Sequence, residues 1–110
     1  MAEAFQTVNT ALGSSADAVV YTCPASKIAV VIHCQVANVD GTNAADLNID
    51  LHDTSASSAK AVVSTLSVPA DSAVNPIGGK LVLEAADELR AWAGAASDLE
   101  MTLSVLEIDV

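Results

Sequence analysis

The segment that decides the fold is KIAVVIHCQVA, residues 27–37, which is dominated by branched aliphatic side chains. Such residues favour extended strands, in which successive side chains point to opposite faces. One face of the predicted strand is apolar and the other is mixed, which is typical of a strand at the centre of a sheet. The apolar face consists of Ile28, Val30, Ile32, Cys34 and Val36, and the mixed face consists of Ala29, Val31, His33 and Gln35.

Further strand patterns flank this segment on both sides. Val19–Cys23 is rich in β-branched residues, and Ala4–Leu12 alternates weakly. Asp40-Gly41 is a strong turn signal, because both residue types tolerate positive φ, and it separates two strands. The strand after it alternates as a half-buried antiparallel strand does. Its predicted inward residues are Leu47, Ile49 and Leu51, and its outward residues are Asn48, Asp50 and His52.

The second half of the chain continues the strand pattern. We expect Pro69 to end a strand and residues 70–79 to connect two sheets, with strands again at 80–83, 89–93 and 99–108. In the last strand the inward phase shifts after Val105 to Leu106 and Ile108, which predicts a bulge or a change of partner. The inward residues are Val62, Leu66 and Val68, followed by Leu99, Met101, Leu103 and Val105.

About eight short strands with turn signals every ten or so residues predict an all-β fold, an antiparallel β-sandwich of jelly-roll type. Residues 1–110 form a single domain on this interpretation, with 1–15 as an N-terminal arm or edge strand. The good helix formers in Leu83–Trp92 leave a short helix there as an alternative. Trp92 is interpreted as a core residue.

The net charge of the chain limits the classes of partner that we expect. The net charge is −10, and such a field repels nucleic acid and anionic lipid, so we expect neither as a partner. A partner with a basic protein surface fits this charge better.

The sequence shows no targeting or membrane segment: no basic region followed by an apolar stretch opens the chain, and no apolar run approaches the roughly 20 residues of a membrane span. We expect a protein that stays in the compartment where it is made.

Few residues of the chain could form a disulfide or bind a metal ion. Cys23 and Cys34 would lie several rungs apart in a hairpin centred on residues 24–27, so we expect two reduced, buried thiols. We expect no metal or cofactor, because neither His33, on the mixed face, nor His52, exposed, has a third ligand at a defined spacing. Calcium is not expected either, since the alternating D-x-D-x-D-G pattern is missing. The side chains that could in principle gather around such an ion are Asp40, Asp46, Asp50 and Asp53, together with Asn43 and Asn48.

Catalytic motifs are missing as well. The chain has no nucleophile elbow, no glycine-rich phosphate loop and no Cys-x-x-Cys pair, so we expect no enzyme and no catalytic residues. Glu84, Asp87 and Glu88 stand close together as an acid and base pair might, but we interpret them as a charged turn. A stand-alone carbohydrate-binding module would require an exposed aromatic platform.

The order of these motifs resembles that of small virion structural proteins of tailed bacteriophages. In that family a tyrosine-threonine-x-proline turn precedes a long apolar strand with an alanine-asparagine turn, and a leucine-glutamate…aspartate-x-leucine hairpin precedes a final strand closing on Leu-Glu. Where such proteins commonly place glycine before the aspartate, this chain has Ala86. The matching stretches are Val19–Ala25, Ala29–Thr42, Leu83–Leu89 and Ser104–Glu107.

The resemblance implies assembly rather than catalysis. It suggests a head decoration or cement protein that binds the major capsid protein or other virion proteins, with a tail, neck or fibre component as the alternative. We expect a homo-oligomer, a trimer being one option, located in the virion and, during assembly, in the host cytoplasm. Strand addition to a neighbour is expected through the N-terminal segment, at Ala4, Phe5, Gln6, Thr7 and Val8.

Overall fold

The computed structural model describes residues 2–110 and contains nine strands. No helix occurs in this range, so the helical alternative for Leu83–Trp92 is wrong: a turn at residues 84–87 separates two strands there. The described part of the chain accordingly holds no helix that could span a membrane. The strands are β1 (Glu3–Ala11), β2 (Val19–Thr22), β3 (Lys27–Asn38), β4 (Ala45–Asp53), β5 (Ser58–Val68), β6 (Ala73–Val74), β7 (Leu81–Leu83), β8 (Glu88–Ala93) and β9 (Leu99–Asp109).

The strands form two antiparallel sheets, which confirms the predicted all-β sandwich. Sheet A has the order β1-β9-β3-β6, with β7 pairing a different part of β3, and sheet B has the order β2-β8-β4-β5. The chain changes sheet between β1 and β2, between β2 and β3, and between β3 and β4. The turn at Asp40-Gly41 therefore separates two strands as predicted, but it crosses the sandwich instead of closing a hairpin.

The core lies between the sheets, and two strands fill it as their alternation predicts. In β4, Leu47 and Ile49 are fully buried, while Leu51 is half-buried. In β9, the inward set from Leu99 to Val105 is buried. Strict period-two patterning is a sufficient guide wherever the strand itself contains no extra residue.

The central strand departs from the prediction because of a bulge. Val31 pairs with Val105 of β9, but His33 pairs with Ser104, so Ile32 has no partner opposite it. An extra residue reverses which side chains face the core. Before the bulge the buried residues of β3 are Ala29 and Val31, and after it they are Cys34, Val36 and Asn38. The predicted apolar face is thus wrong for Ile28, Val30 and Ile32, which lie on the outer face or at the bulge.

Strand β5 contains two more irregularities. Its register against β4 shifts between Leu47 and Ile49 and again between Ile49 and Asp50. As a result Val63 is buried, while Val62 and Leu66 are each 37% exposed, so the inward assignment of these two residues is wrong. Val68 is buried as predicted.

The predicted phase change at the end of β9 is also wrong. The strand stays in register with β3 from Val105 to Asp109, and the inward position after Val105 is occupied by Glu107, which is only 7% exposed. Leu106 and Ile108 lie on the outer face and are half-buried. An acidic side chain at a core position would not be inferred from hydropathy alone.

Candidate assembly surface

The N-terminal strand β1 lies at one edge of sheet A and pairs only with β9. The pairing runs without a shift from Glu3 opposite Ile108 to Ala11 opposite Glu100. The other side of β1 consequently presents a regular row of backbone donors and acceptors with no strand beside it among residues 2–110. Such a straight edge is a template for a further strand.

The first half of β1 is exposed on both faces. Ala4, Phe5, Gln6 and Thr7 are all exposed, and Val8 is half-buried. The strand of sheet B in contact with β1 is β2, which has only four residues. The five residues from Ala4 to Val8 that the sequence singled out thus lie together on one accessible strand.

An apolar row crosses the outer face of sheet A and ends on this strand. Phe5 pairs with Leu106, Leu106 pairs with Val30, and Val30 pairs with Val82. Directly opposite residues on neighbouring strands share a face, so the four side chains form a continuous line. Phe5 is 76% exposed and Val82 is 53% exposed, while the two middle residues are half-buried. We call these four residues the outer apolar row.

The opposite edge of the sandwich is built differently. Strand β5 forms the edge of sheet B, but two bulges interrupt its pairing and Lys60 lies on it. Thr65, at φ 52, donates its backbone N–H to the side-chain oxygen of Asn48 at 3.0 Å. Bulges and lysines are the devices that keep an edge strand from pairing with another chain. Of these two edge strands, β1 is the one that carries neither a bulge nor a lysine.

The charged turn predicted at residues 84–88 has a structural role. The Asp87 carboxylate is 4% exposed and accepts the backbone N–H groups of Thr54 and Glu84, each at 3.0 Å. It therefore joins the β4–β5 loop to the β7–β8 turn. Glu88 accepts a hydrogen bond from Arg90 Nε at 2.9 Å. Ala86 adopts φ 70, the left-handed conformation that the glycine of the resembling family would favour.

The other predicted acidic residues do not gather in one place. Asp40 accepts the N–H groups of Thr42 and Asn43, which lowers its pKa and fixes the turn. Asp46 is exposed on the outer face of β4. Asp50 lies beside His52 and the loop residue Asp17, a neighbour that no local pattern indicates.

The two histidines differ in their exposure. His33 is exposed. The prediction that His52 is exposed is wrong, because its side chain is half-buried and its Nε2 atom is shielded from solvent.

A buried hydrogen bond joins the two sheets. Tyr21 of β2 donates its hydroxyl hydrogen to Glu107 Oε2 of β9 at 2.5 Å. Burial, and after it this hydrogen bond, raise the pKa of Tyr21 well above its usual range. Sequence reasoning missed the pair because the two residues are 86 positions apart.

The two cysteines are free and buried, which confirms that expectation. Burial raises the pKa of both thiols, that of Cys34 to about 11. Reactive cysteines have the opposite properties, exposure and a lowered pKa, so these thiols are packing residues.

The three aromatic residues lie in three different parts of the sandwich. Phe5 is on the outer face of sheet A, and Tyr21 is in the core. Trp92 alternates with the buried Ala91 and Ala93 of β8 and is half-buried on the outer face of sheet B, so its assignment to the core is wrong. Within the described residues no two aromatic side chains share a face.

Comparison with solved structures shows how widely this fold is shared. The chain is similar to a chain in the acid-stable capsid structure of Helicobacter pylori bacteriophage KHP30, with a TM-score of 0.57, 10% identity, and coverage of 100% of this chain and 95% of that one. It is similar to a subunit of the Bacillus endospore appendages, described as disulfide-linked pili, with a TM-score of 0.57, 15% identity, and coverage of 99% and 88%.

A third neighbour is a chain in the structure of infectious bursal disease virus, Gx strain, with a TM-score of 0.52 and 7% identity. It covers 96% of this chain, which corresponds to only 32% of that longer protein. No protein-family model matches the sequence, and no curated protein matches it either. At these identities the neighbours establish a β-sandwich fold that also occurs in capsid and appendage subunits.

Proposed function

We propose that this chain is a structural protein of a bacteriophage virion, and specifically a decoration or cement protein that binds the outer surface of the head. The observation that carries the proposal is the outer apolar row, which runs onto the open edge of β1. A line of exposed apolar side chains beside an unpaired strand is characteristic of a protein-binding surface.

The occupant of this surface is a strand of the major capsid protein or of another virion protein. An added strand would pair with the backbone of β1, while its side chains would cover Phe5 on one face and Ala4 and Gln6 on the other. The net charge of −10 favours a partner with a basic surface over close packing against another acidic surface. Repetition over a lattice would multiply a weak single contact into firm attachment.

Two further observations support this function. The neighbour in the phage KHP30 capsid structure matches over nearly the full length of both chains, so a small sandwich of this size occurs in a phage head. The buried thiols and the engaged carboxylate of Asp87 fit a scaffold better than a catalyst.

The similarity to the Bacillus endospore appendage favours a second candidate, a tail, neck or fibre component. In that case the same β1 edge would contact copies of this chain in a ring or filament. A homo-oligomer, including a trimer, is compatible with both candidates, and light scattering on the purified protein measures it.

Immunogold labelling of purified phage particles, with quantification against the major capsid protein, tests the function. Label over the head at near-lattice stoichiometry is the expected result. Label confined to the tail at low copy number would favour the second candidate, and particles without label would refute both.

A matched pair of variants tests the surface. The Phe5→Ser protein should fail to attach to purified phage heads that were assembled without this chain. The reason is that the substitution removes the most exposed apolar side chain of the outer apolar row. Val39→Ser is the control, since Val39 is 52% exposed but lies beyond the far end of β3. Equal attachment of both variants would show that the outer apolar row is not the contact.

A further inference from the structure

Three metal-ligating side chains meet on the outer face of sheet B. Asp50 and His52 alternate on β4, and Asp17 reaches them from the loop that connects β1 to β2. One ligand atom from each residue lies within 4.8 Å of the other two. The set is mixed, with one imidazole nitrogen and two carboxylate oxygens, and it joins parts of the chain more than thirty residues apart.

The histidine in this cluster lacks a hydrogen-bond partner. His52 Nε2 is fully shielded from solvent and accepts or donates no hydrogen bond within residues 2–110. Asp17 Oδ1 lies 3.8 Å from His52 Nε2, which is beyond hydrogen-bonding distance. A buried, unpaired ring nitrogen is costly, and the adjacent carboxylates are not placed to satisfy it directly.

The local charges also favour a cation. Asp17, Asp50 and Glu88 carry negative charge against the single positive charge of Arg90, whose guanidinium is already hydrogen-bonded to Glu88. The carboxylates of Asp17 and Asp50 lie within 4.8 Å of each other, and two like charges at that distance repel each other. A cation placed between them would remove that repulsion.

We propose that Asp17, Asp50 and His52 form a binding site for a divalent transition-metal ion of the Zn²⁺ type. Zn²⁺ accepts imidazole nitrogen and carboxylate oxygen at bond lengths of about 2.0–2.2 Å, which places its ligand atoms roughly 3.3 Å apart. The ligand atoms lie within 4.8 Å of one another, so they need to approach by at most about 1.5 Å, and the side chain of Asp17 is exposed.

Ca²⁺ fits the set poorly. It prefers six to eight oxygen ligands, whereas this cluster supplies three protein ligands and one of them is nitrogen. Three protein ligands plus water complete a tetrahedral zinc site. The site is independent of the proposed virion function, since it involves neither β1 nor the outer apolar row.

The bound ion would act as a clamp. It would fasten the loop of residues 12–18, which leads from sheet A to sheet B, onto the face of β4. A ligand that binds only the folded state raises the unfolding temperature in proportion to the logarithm of its concentration. The expected consequence is stabilisation by Zn²⁺.

Calorimetric titration of the EDTA-treated, thiol-reduced protein with Zn²⁺, and separately with Ca²⁺, tests the site. We expect one Zn²⁺ per chain, and a rise in Tm of about 8–15 °C at a Zn²⁺ concentration 100-fold above Kd. Ca²⁺ should give neither effect. A chain that shows no saturable Zn²⁺ binding, or an equal response to Ca²⁺, would overturn the proposal.

Variants identify the ligands. Asp17→Asn and His52→Gln should each reduce Zn²⁺ affinity at least tenfold, whereas Asp46→Asn, on the same face of β4, should not change it. Circular dichroism of the metal-free variants verifies folding, and Asp17, in an exposed loop, is the safer substitution. Undiminished binding by Asp17→Asn and His52→Gln, or a thiolate charge-transfer band in the Co²⁺-loaded protein, would place the ion elsewhere and refute the assignment.

Discussion

Replacing Tyr21 with Phe should destabilise the sandwich by removing one hydroxyl group from between the sheets. The ring stays in place, so the core volume hardly changes. What is lost is the hydrogen bond to Glu107, a residue that is 7% exposed and has no other side-chain partner in the described chain. The variant thus leaves a buried carboxyl group without its donor.

The magnitude follows from this geometry. A hydrogen bond to a charged group contributes about 1.5–3 kcal/mol, and a buried acceptor left unpaired adds its desolvation cost. We expect Tyr21→Phe to lower the free energy of unfolding by about 2–3 kcal/mol. For a domain of this size that corresponds to a decrease in Tm of about 8–15 °C.

A double-mutant cycle isolates the pair. Urea unfolding of the wild type, Tyr21→Phe, Glu107→Gln and the double variant can be followed by the fluorescence of Trp92, the sole tryptophan. With a slope of about 1–3 kcal/mol per molar urea, the midpoint of Tyr21→Phe should fall by roughly 1 M or more. The coupling energy between the two residues should be about 2 kcal/mol.

The control lies on the same strand. Glu100 is exposed on the outer face of β9, so Glu100→Gln should change stability by less than about 0.5 kcal/mol. If Tyr21→Phe is as stable as this control, or if the coupling energy is below about 0.5 kcal/mol, the hydrogen bond does not tie the sheets together and the reasoning fails.

Three further substitutions test other parts of the fold by urea unfolding. Asp87→Ala should cost about 2–4 kcal/mol because two backbone N–H groups lose their acceptor, whereas Glu84→Ala, at an exposed side chain, should cost less than about 0.5 kcal/mol. Ala86→Gly should stabilise the protein by about 0.5–1 kcal/mol because it relieves the left-handed φ, while Ala85→Gly should destabilise it; a loss at residue 86 would contradict this. Burial raises the pKa of the Cys34 thiol from 9.0 in the unfolded chain to about 11 in the folded protein. Between these two pH values only the unfolded chain loses the proton, so the free energy of unfolding should fall by about 1–2 kcal/mol. Cys34→Val should lessen that fall.

The inward residues of β4 and β9 were predictable from sequence because neither strand contains an extra residue: the bulges in their pairing lie on the partner strands β5 and β3. In β4, alternation alone identified Leu47 and Ile49 as core residues, and in β9 it did so as far as Val105. Each of these predictions needs only the period of two that any extended chain has. The segment from Ala4 to Val8 was likewise recognisable as weakly patterned, and an edge strand was one of the two alternatives for residues 1–15.

The misassigned residues are found where tertiary contacts override alternation. The bulge at Ile32 interrupts the pairing of β3 with β9, and it reverses the facing of every residue before it relative to the alternation after it. Glu107 takes a core position because Tyr21, on the other sheet, supplies its donor. Trp92 faces outward because small alanines occupy the inward positions of β8.

The sequence by itself determined the fold class, the inward faces of the regular strands, the turn at Asp40 and the acidic character of the surface, since each depends on residues close together in the chain. Only the tertiary structure decided which strand is the open edge, which residues form the outer apolar row, and that Asp17 meets Asp50 and His52. These depend on strand order and register, which are set by pairing between segments distant in sequence, and no local pattern encodes that pairing.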